Sequence, residues 1–297
     1  MMFAPTASPR TPYLQCGSYR LMLDRPLIMG VVNVTPDSFS DGGRYECIEP
    51  AVAHARELLR EGADILDIGG ESTRPGSTPI GLEEERRRVL PVVESLADCG
   101  IPISVDTRKP RLMREAIGAG ASMVNDISAL EEPGAIEVIS TASVAVCLMH
   151  KQGEPRTMQE HPHYQDVVFE VRDYLARRIE AALAAGIARE RIVIDPGYGF
   201  GKTFEHNLAL LRELKSITTL GVPVLAGLSR KGMIGKITAR DVGERVHGSV
   251  AAALFAVDAG AAIVRVHDVA ATRDALAVWC AIRGTIGASS QERIRHE

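Results

Sequence analysis

The chain has 297 residues, 45% of them hydrophobic, which is ample for one large core. Its 34 basic and 38 acidic side chains leave a net charge of −4, so no polybasic field marks it as a nucleic-acid-binding protein. No stretch reaches the roughly 20 apolar residues of a membrane span, and the start lacks the pattern of a secretory leader. Cys16, Cys47, Cys99, Cys147 and Cys280 are scattered without a C-x-x-C pair, as expected for reduced thiols in a cytoplasmic protein.

Residues 1–25, with Pro5, Pro9 and Pro12, read as an arm that can form a short leading hairpin. The first buried strand is predicted at Leu27–Val32, followed by a helix over 49–61. A phrase then recurs: helix, glycine, a few apolar residues, polar residues. It runs through Gly62–Gly69, Gly100–Asp106, Gly120–Asp126, Gly186–Asp195, Gly221–Ser229 and Gly260–His267. Glycine closes a helix in the left-handed conformation, and the β-branched residues after it suit a strand buried on both faces. Val144–Met149 completes eight strands. The helices between them are expected over 82–97, 110–118, 133–140, 164–185, 203–215, 244–259 and 270–282. Residues 288–297 read as a polar tail. Eight alternating units predict a single-domain α/β fold, a (β/α)8 TIM barrel over 26–287 with a short N-terminal extension.

In such a barrel the loops after the strands form the active face. Those strand ends carry Asn33, Asp67, Asp106, Asn125, His150, Asp195, Ser229 with Lys231, and Arg265 with His267. One such residue would be an ordinary helix cap. A polar group at all eight ends, cations included, calls instead for a polar, partly anionic ligand. Lys231, Arg265 and His267 suit a phosphate, whereas Asp106, Asn125 and Asp195 suit a flat heterocycle with adjacent N–H donors.

Four loops carry motifs. The run Met29–Gly43 ends in Asp, Ser and Gly around a lone Phe39, and Asp67–Gly76 is rich in Gly and hydroxyls. Both 35–43 and 72–76 are expected to be mobile until an anion orders them. Asp195–Thr203 imitates a nucleotide-binding loop, but Pro196 stands where a Walker loop needs glycine, and G-x-G-x-x-G spacing fails as well. Gly227–Gly232 suits a flat ligand pressed against backbone. His161-Pro162-His163 lacks the further ligands of a zinc site, and no nucleophile elbow is present.

Taken in order, Met29–Gly43, Asp67–Gly76, Ser104–Thr107, Asn125–Ile127, Asp195–Lys202, Gly227–Lys231 and Arg265–Asp268 resemble the motif set of bacterial dihydropteroate synthases. The resemblance runs from about Leu27 to Asp268. It implies a transferase of folate biosynthesis and a sulfonamide target, joining 6-hydroxymethyl-7,8-dihydropterin pyrophosphate to p-aminobenzoate with Mg²⁺. It also implies roles: Asp106, Asn125, Asp195 and Lys231 on the pterin, with Met149 and Phe200 packed beside it. Asn33, Thr73, Arg265 and His267 would hold pyrophosphate, Asn33 its Mg²⁺. Thr73, Arg74, Pro75 and Ser229 would form the p-aminobenzoate pocket. Asp106, Lys231, Arg265 and His267 would carry the catalysis. A homodimer is implied, with the apolar 247–259 segment as one candidate face. Two rivals stand beside it: a pterin-dependent methyltransferase domain, which should lack the 33–43 and 72–75 runs, and a non-catalytic pterin-binding homologue.

Overall fold

The computed structural model describes residues 12–34, 48–72, 77–154, 156–284 and the backbone of 294–296. Strands β1 (Tyr13–Cys16) and β2 (Tyr19–Met22) form an antiparallel hairpin turned at Gly17, whose φ of 60° suits glycine. Then β3 (Leu27–Asn33) leads to α1 (Ile48–Glu61), β4 (Ile65–Gly69), α2 (Leu82–Leu96) and β5 (Ile103–Asp106). The alternation continues through α3 (Pro110–Gly118), β6 (Met123–Asp126), α4 (Ala135–Thr141), β7 (Ala145–Met149), α5 (Val167–Ala184) and β8 (Ile192–Asp195). After it come α6 (Phe204–Arg212), α7 (Leu214–Thr218), β9 (Leu225–Ala226) and α8 (Gly232–Thr238). The chain ends with α9 (Val246–Asp258), β10 (Ile263–Val266), α10 (Val269–Arg283) and β11 (Ile294–His296).

Strands β3 to β10 make one parallel sheet in the order β8-β7-β6-β5-β4-β3-β10-β9. A bridge between Ile194 and Val224 returns the last strand to β8, so the sheet closes as the predicted (β/α)8 barrel. Among the described residues no helix is long and apolar enough to cross a membrane.

The period of two along each strand sorts side chains to two sides. Leu66, Ile68, Val105 and Val264 pack outward with helix residues such as Leu58, Val89, Leu112 and Leu276. Inward positions change character along the strand. Ile65, Met123, Val193 and Ile263 pack together at the start, against Leu14, Cys16 and Leu21 of the hairpin. Two residues further on, the inward positions are Asp67, Asn125, Asp195 and Arg265. The hairpin therefore plugs the floor of the barrel with apolar side chains, and Gly17 N–H fastens it by donating to Ser143 O at 3.1 Å. The mouth of the barrel is left lined with ionisable groups.

Three details depart from the sequence reading. The helix expected over 203–215 breaks at Glu213 into α6 and α7. The short helix α8 was not expected, because Gly-Met-Ile-Gly-Lys-Ile-Thr holds two poor helix formers and too few turns to show a period. Part of the expected tail is the strand β11, which pairs antiparallel with β2 and places Ile294 opposite Leu21.

Candidate active site

Ten of the expected site residues lie together. Asn33, Asp106, Asn125, Met149, Asp195, Phe200, Ser229, Lys231, Arg265 and His267 all line one pocket of about 700 Å³ at the C-terminal mouth of the barrel. Thr73, Arg74 and Pro75 lie outside the described residues, as does the 35–43 loop.

The inner wall is built around Arg265. Its Nε donates to Asp67 Oδ2 at 2.6 Å and its Nη2 to Asp106 Oδ2 at 3.1 Å. Asn125 Nδ2 donates to the same Asp67 oxygen at 3.1 Å. Both carboxylates are buried, Asp67 fully. Burial pushes the Asp106 carboxyl up to about 7; Arg265 opposes that shift and Asp67 adds to it. Burial works against the charge on Arg265, but Asp67 and Asp106 outweigh it and raise its pKa. One guanidinium thus keeps two neighbouring acids tolerable in a dry site. Asp67 Oδ1, Asp106 Oδ1 and Asn125 Oδ1 are buried with no hydrogen-bond partner among the described residues. Buried acceptors left over in this way are costly unless a ligand supplies donors.

The second wall comes from the loop after β8. Asp195 Oδ1 accepts from Gly197 N–H at 2.7 Å, so the loop uses one oxygen of this carboxylate. The other lies 3.7 Å from where a Cβ on Gly227 would stand; glycine there leaves bare backbone beside the acid. Burial raises the Asp195 pKa, while the Gly197 bond and Lys231 lower it. Phe200 packs with Ile127, Met149 and Met158 as a small apolar cluster, and Lys231 Nζ sits 4.3 Å from the Phe200 ring centroid. An apolar face beside a row of acceptors suits one side and one edge of a flat polar ring. Across the mouth, Ser229 Oγ accepts from His267 N–H at 3.2 Å and lies 3.1 Å from His267 Nδ1.

Two buried residues that support the site had no assigned task in the sequence reading. Asp67 sits two residues before the end of its strand, where it organises Arg265 and Asn125; as the only charged residue of Ile-Leu-Asp-Ile-Gly it was visible but had no assigned task. Lys202 is buried, within 2.9 Å of His150 Nδ1 and donating to Phe200 O at 3.0 Å, and burial lowers its pKa to about 7. It braces the loop that presents Phe200. His150, also expected at the mouth, turns into this contact, where burial lowers its pKa to about 2.

The donor set fits a Mg²⁺ that arrives with a phosphate. Among the described residues no three His, Cys, Asp or Glu side chains gather as a metal cage. Mg²⁺ retains water and takes few protein oxygens when phosphates supply the rest. The amide oxygen of Asn33, at the end of β3 in the pocket wall, is suited to be one of them.

The sequence pattern of the pterin binding enzyme family matches residues 29–267. The chain is 54% identical over 275 residues to the dihydropteroate synthase of Neisseria meningitidis serogroup B, covering 90% of this chain and 96% of the relative. Its fold matches the Xanthomonas albilineans dihydropteroate synthase solved with 4-aminobenzoic acid, with a TM-score of 0.87 and 55% identity, covering 92% of this chain and 98% of that one. It matches the Burkholderia cenocepacia dihydropteroate synthase complexed with 7,8-dihydropteroate at a TM-score of 0.84 and 49% identity, covering 92% and 97%.

Proposed function

The chain belongs to the dihydropteroate synthases of the pterin binding enzyme family, and we propose that its barrel mouth divides their pterin substrate between two groups of residues. The reaction is the condensation of 6-hydroxymethyl-7,8-dihydropterin pyrophosphate with p-aminobenzoate to 7,8-dihydropteroate and pyrophosphate, a step of folate biosynthesis.

In this reading Asp106, Asn125, Asp195 and Lys231 hold the polar edge of the pterin, and Met149 and Phe200 lie against its face. The observation that carries it is the pair of buried oxygens on Asp106 and Asn125, without hydrogen-bond partners among the described residues, in the pocket that Met149 and Phe200 also line. Arg265 and His267, with Asn33 and Thr73, take the pyrophosphate. Thr73, Arg74, Pro75 and Ser229 form the place for p-aminobenzoate. The functional unit is the barrel over 26–287, with residues 1–25 and 288–297 outside it. Asn33 holds the Mg²⁺, which supplies charge neutralisation on the diphosphate when bound.

The chemistry asks little of proton transfer. The C–O bond to pyrophosphate breaks with its electron pair leaving on oxygen, so positive charge grows on the pterin methylene. In its ionised form, which Arg265 favours against the effect of burial, Asp106 stabilises that charge, while Arg265, His267 and Lys231 hold the two ends in place by preorganised electrostatics. The neutral arylamine nitrogen then forms the C–N bond and gives its extra proton to water. A neutral aromatic amine is nucleophilic without a strong base.

Turnover tests this reading. The purified protein should form 7,8-dihydropteroate from the two substrates, with activity lost on chelation and restored by Mg²⁺. Binding of the pterin without turnover at saturating Mg²⁺ would favour the non-catalytic homologue instead.

A homodimer through α9 and its neighbour α10 is part of the proposal. Phe255 on α9 and Val278 and Ile282 on α10 are large apolar side chains exposed on adjacent helices. Sedimentation as a monomer at micromolar concentration would exclude it. Four free cysteines among the described residues fit a cytoplasmic location.

A further inference from the structure

Arg230 stands in the left-handed region at φ 57°, between Ser229 and Lys231. A side chain is strained there, and such a conformation persists only where its surroundings over-determine it. They do so from three directions. Arg230 N–H donates to Ser249 Oγ on α9 at 2.9 Å, and Arg230 O accepts from Arg245 Nη1 at 3.1 Å. Its guanidinium donates from Nε and Nη2 to the two oxygens of Asp268 at 3.0 and 2.5 Å, a two-pronged pair with fixed geometry. Asp268 follows His267 directly, and His267 is itself bonded to Ser229. Two adjacent sets of bonds therefore tie the loop after β9 to the loop after β10.

We propose that Arg230 and Asp268 are a positioning pair, which locks those two loops together so that Ser229 and Lys231 close on the substrate in register with Arg265 and His267. The inference rests on the reading that these four residues hold the substrate. An ordinary exposed ion pair would contribute little. This pair differs in being two-pronged, in having Asp268 only 16% exposed, and in fastening a strained turn. Without it, Arg230 would be expected to relax out of the left-handed region and carry Ser229 and Lys231 away from His267.

Three variants read the pair: Arg230→Gly, Asp268→Asn and the double variant. Glycine reaches φ 57° without strain, which spares the fold, but with the pair gone it reaches other conformations as readily, so the loop is no longer held in register. Calorimetry with inorganic pyrophosphate and Mg²⁺, and the KM for the pterin substrate, are measured on each alongside the thermal midpoint. The expected result is a loss of about tenfold in pyrophosphate affinity in either single variant, no further loss in the double, and a near-normal melting temperature; such non-additivity is the mark of two residues acting as one. Loss in Arg230→Gly with none in Asp268→Asn would overturn the proposal, because Arg230 would then touch the ligand itself. Unchanged binding in both would overturn it too, as would losses that simply add. Should Asp268→Asn not fold, Asp268→Glu, which keeps the charge, is expected to retain most of the pyrophosphate affinity of the unmodified protein, and a loss as large as that in Arg230→Gly counts against the pair. If the unmodified protein does not bind pyrophosphate, it is the site reading that fails, not this one.

Discussion

Arg265→Ala is expected to lower stability by about 3–5 kcal/mol near neutral pH, the cost of leaving buried charge without its partner. The family resemblance assigns the side chain to the leaving pyrophosphate and to catalysis. Its geometry gives it a second task, because Nε and Nη2 are already committed to Asp67 and Asp106. Removing it should therefore harm the apo protein as well as anion binding. The pH dependence follows from Asp106, whose carboxyl burial raises to about 7 in spite of Arg265. A carboxyl with a raised folded pKa binds its proton more tightly when folded. It therefore costs stability as pH climbs above its unfolded value, and the cost levels off once the folded pKa is passed. In the unmodified protein that levelling comes near 7. Without Arg265 the folded pKa moves higher still, so the variant keeps losing stability above that point. Urea denaturation should show the gap between the two proteins widening from about pH 6 to about pH 8. A gap that is constant or narrows over this range would mean that Arg265 does not control the charge on Asp106.

Asp195→Asn is expected to act in the opposite way, on binding with little effect on stability. Asp195 Oδ1 accepts from Gly197 N–H, and an amide oxygen can keep that bond and the loop with it. The Oδ2 position, beside Gly227, would become an NH₂ group. A carboxylate there accepts from a guanidine-like edge, whereas an amide nitrogen presents donor to donor. The loss of pterin affinity should be about 1.5–3 kcal/mol, the range for hydrogen bonds to charged groups. A relief of charge burial partly offsets any weakening of the fold, since burial already raises the Asp195 pKa. An unchanged pterin affinity with a lowered melting temperature would make Asp195 a turn-forming residue and nothing more.

The barrel was legible because each unit repeats the same physics. A helix must close, and Gly62 and Gly260 do so at φ 97° and 103°; a strand buried on both faces must then be apolar until it reaches the mouth. The α3 helix was readable to the residue, since Pro110 fixes its first turn. What stayed hidden are features that single positions decide. The split at Glu213 and the short α8 leave no period to read, and β11 depends on pairing with the distant β2. The site shows the same division. Residue types at strand ends announced acids, amides and cations converging on one mouth. They could not announce that Arg265 would bridge two of the acids, that His150 would turn away toward Lys202, or that Arg230 would hold a left-handed turn. Those are facts of side-chain direction, which spacing in sequence does not carry.

Calorimetry on Asp195→Asn tests most directly the proposed division of the mouth into a pterin half and an anion half. Two ligands are titrated separately: 6-hydroxymethyl-7,8-dihydropterin, which carries no phosphate, and inorganic pyrophosphate with Mg²⁺. The variant is expected to lose much of its affinity for the pterin and to bind pyrophosphate as tightly as the unmodified protein does. Equal losses for the two ligands would contradict that division, because the two halves would then be one site that Asp195 merely supports.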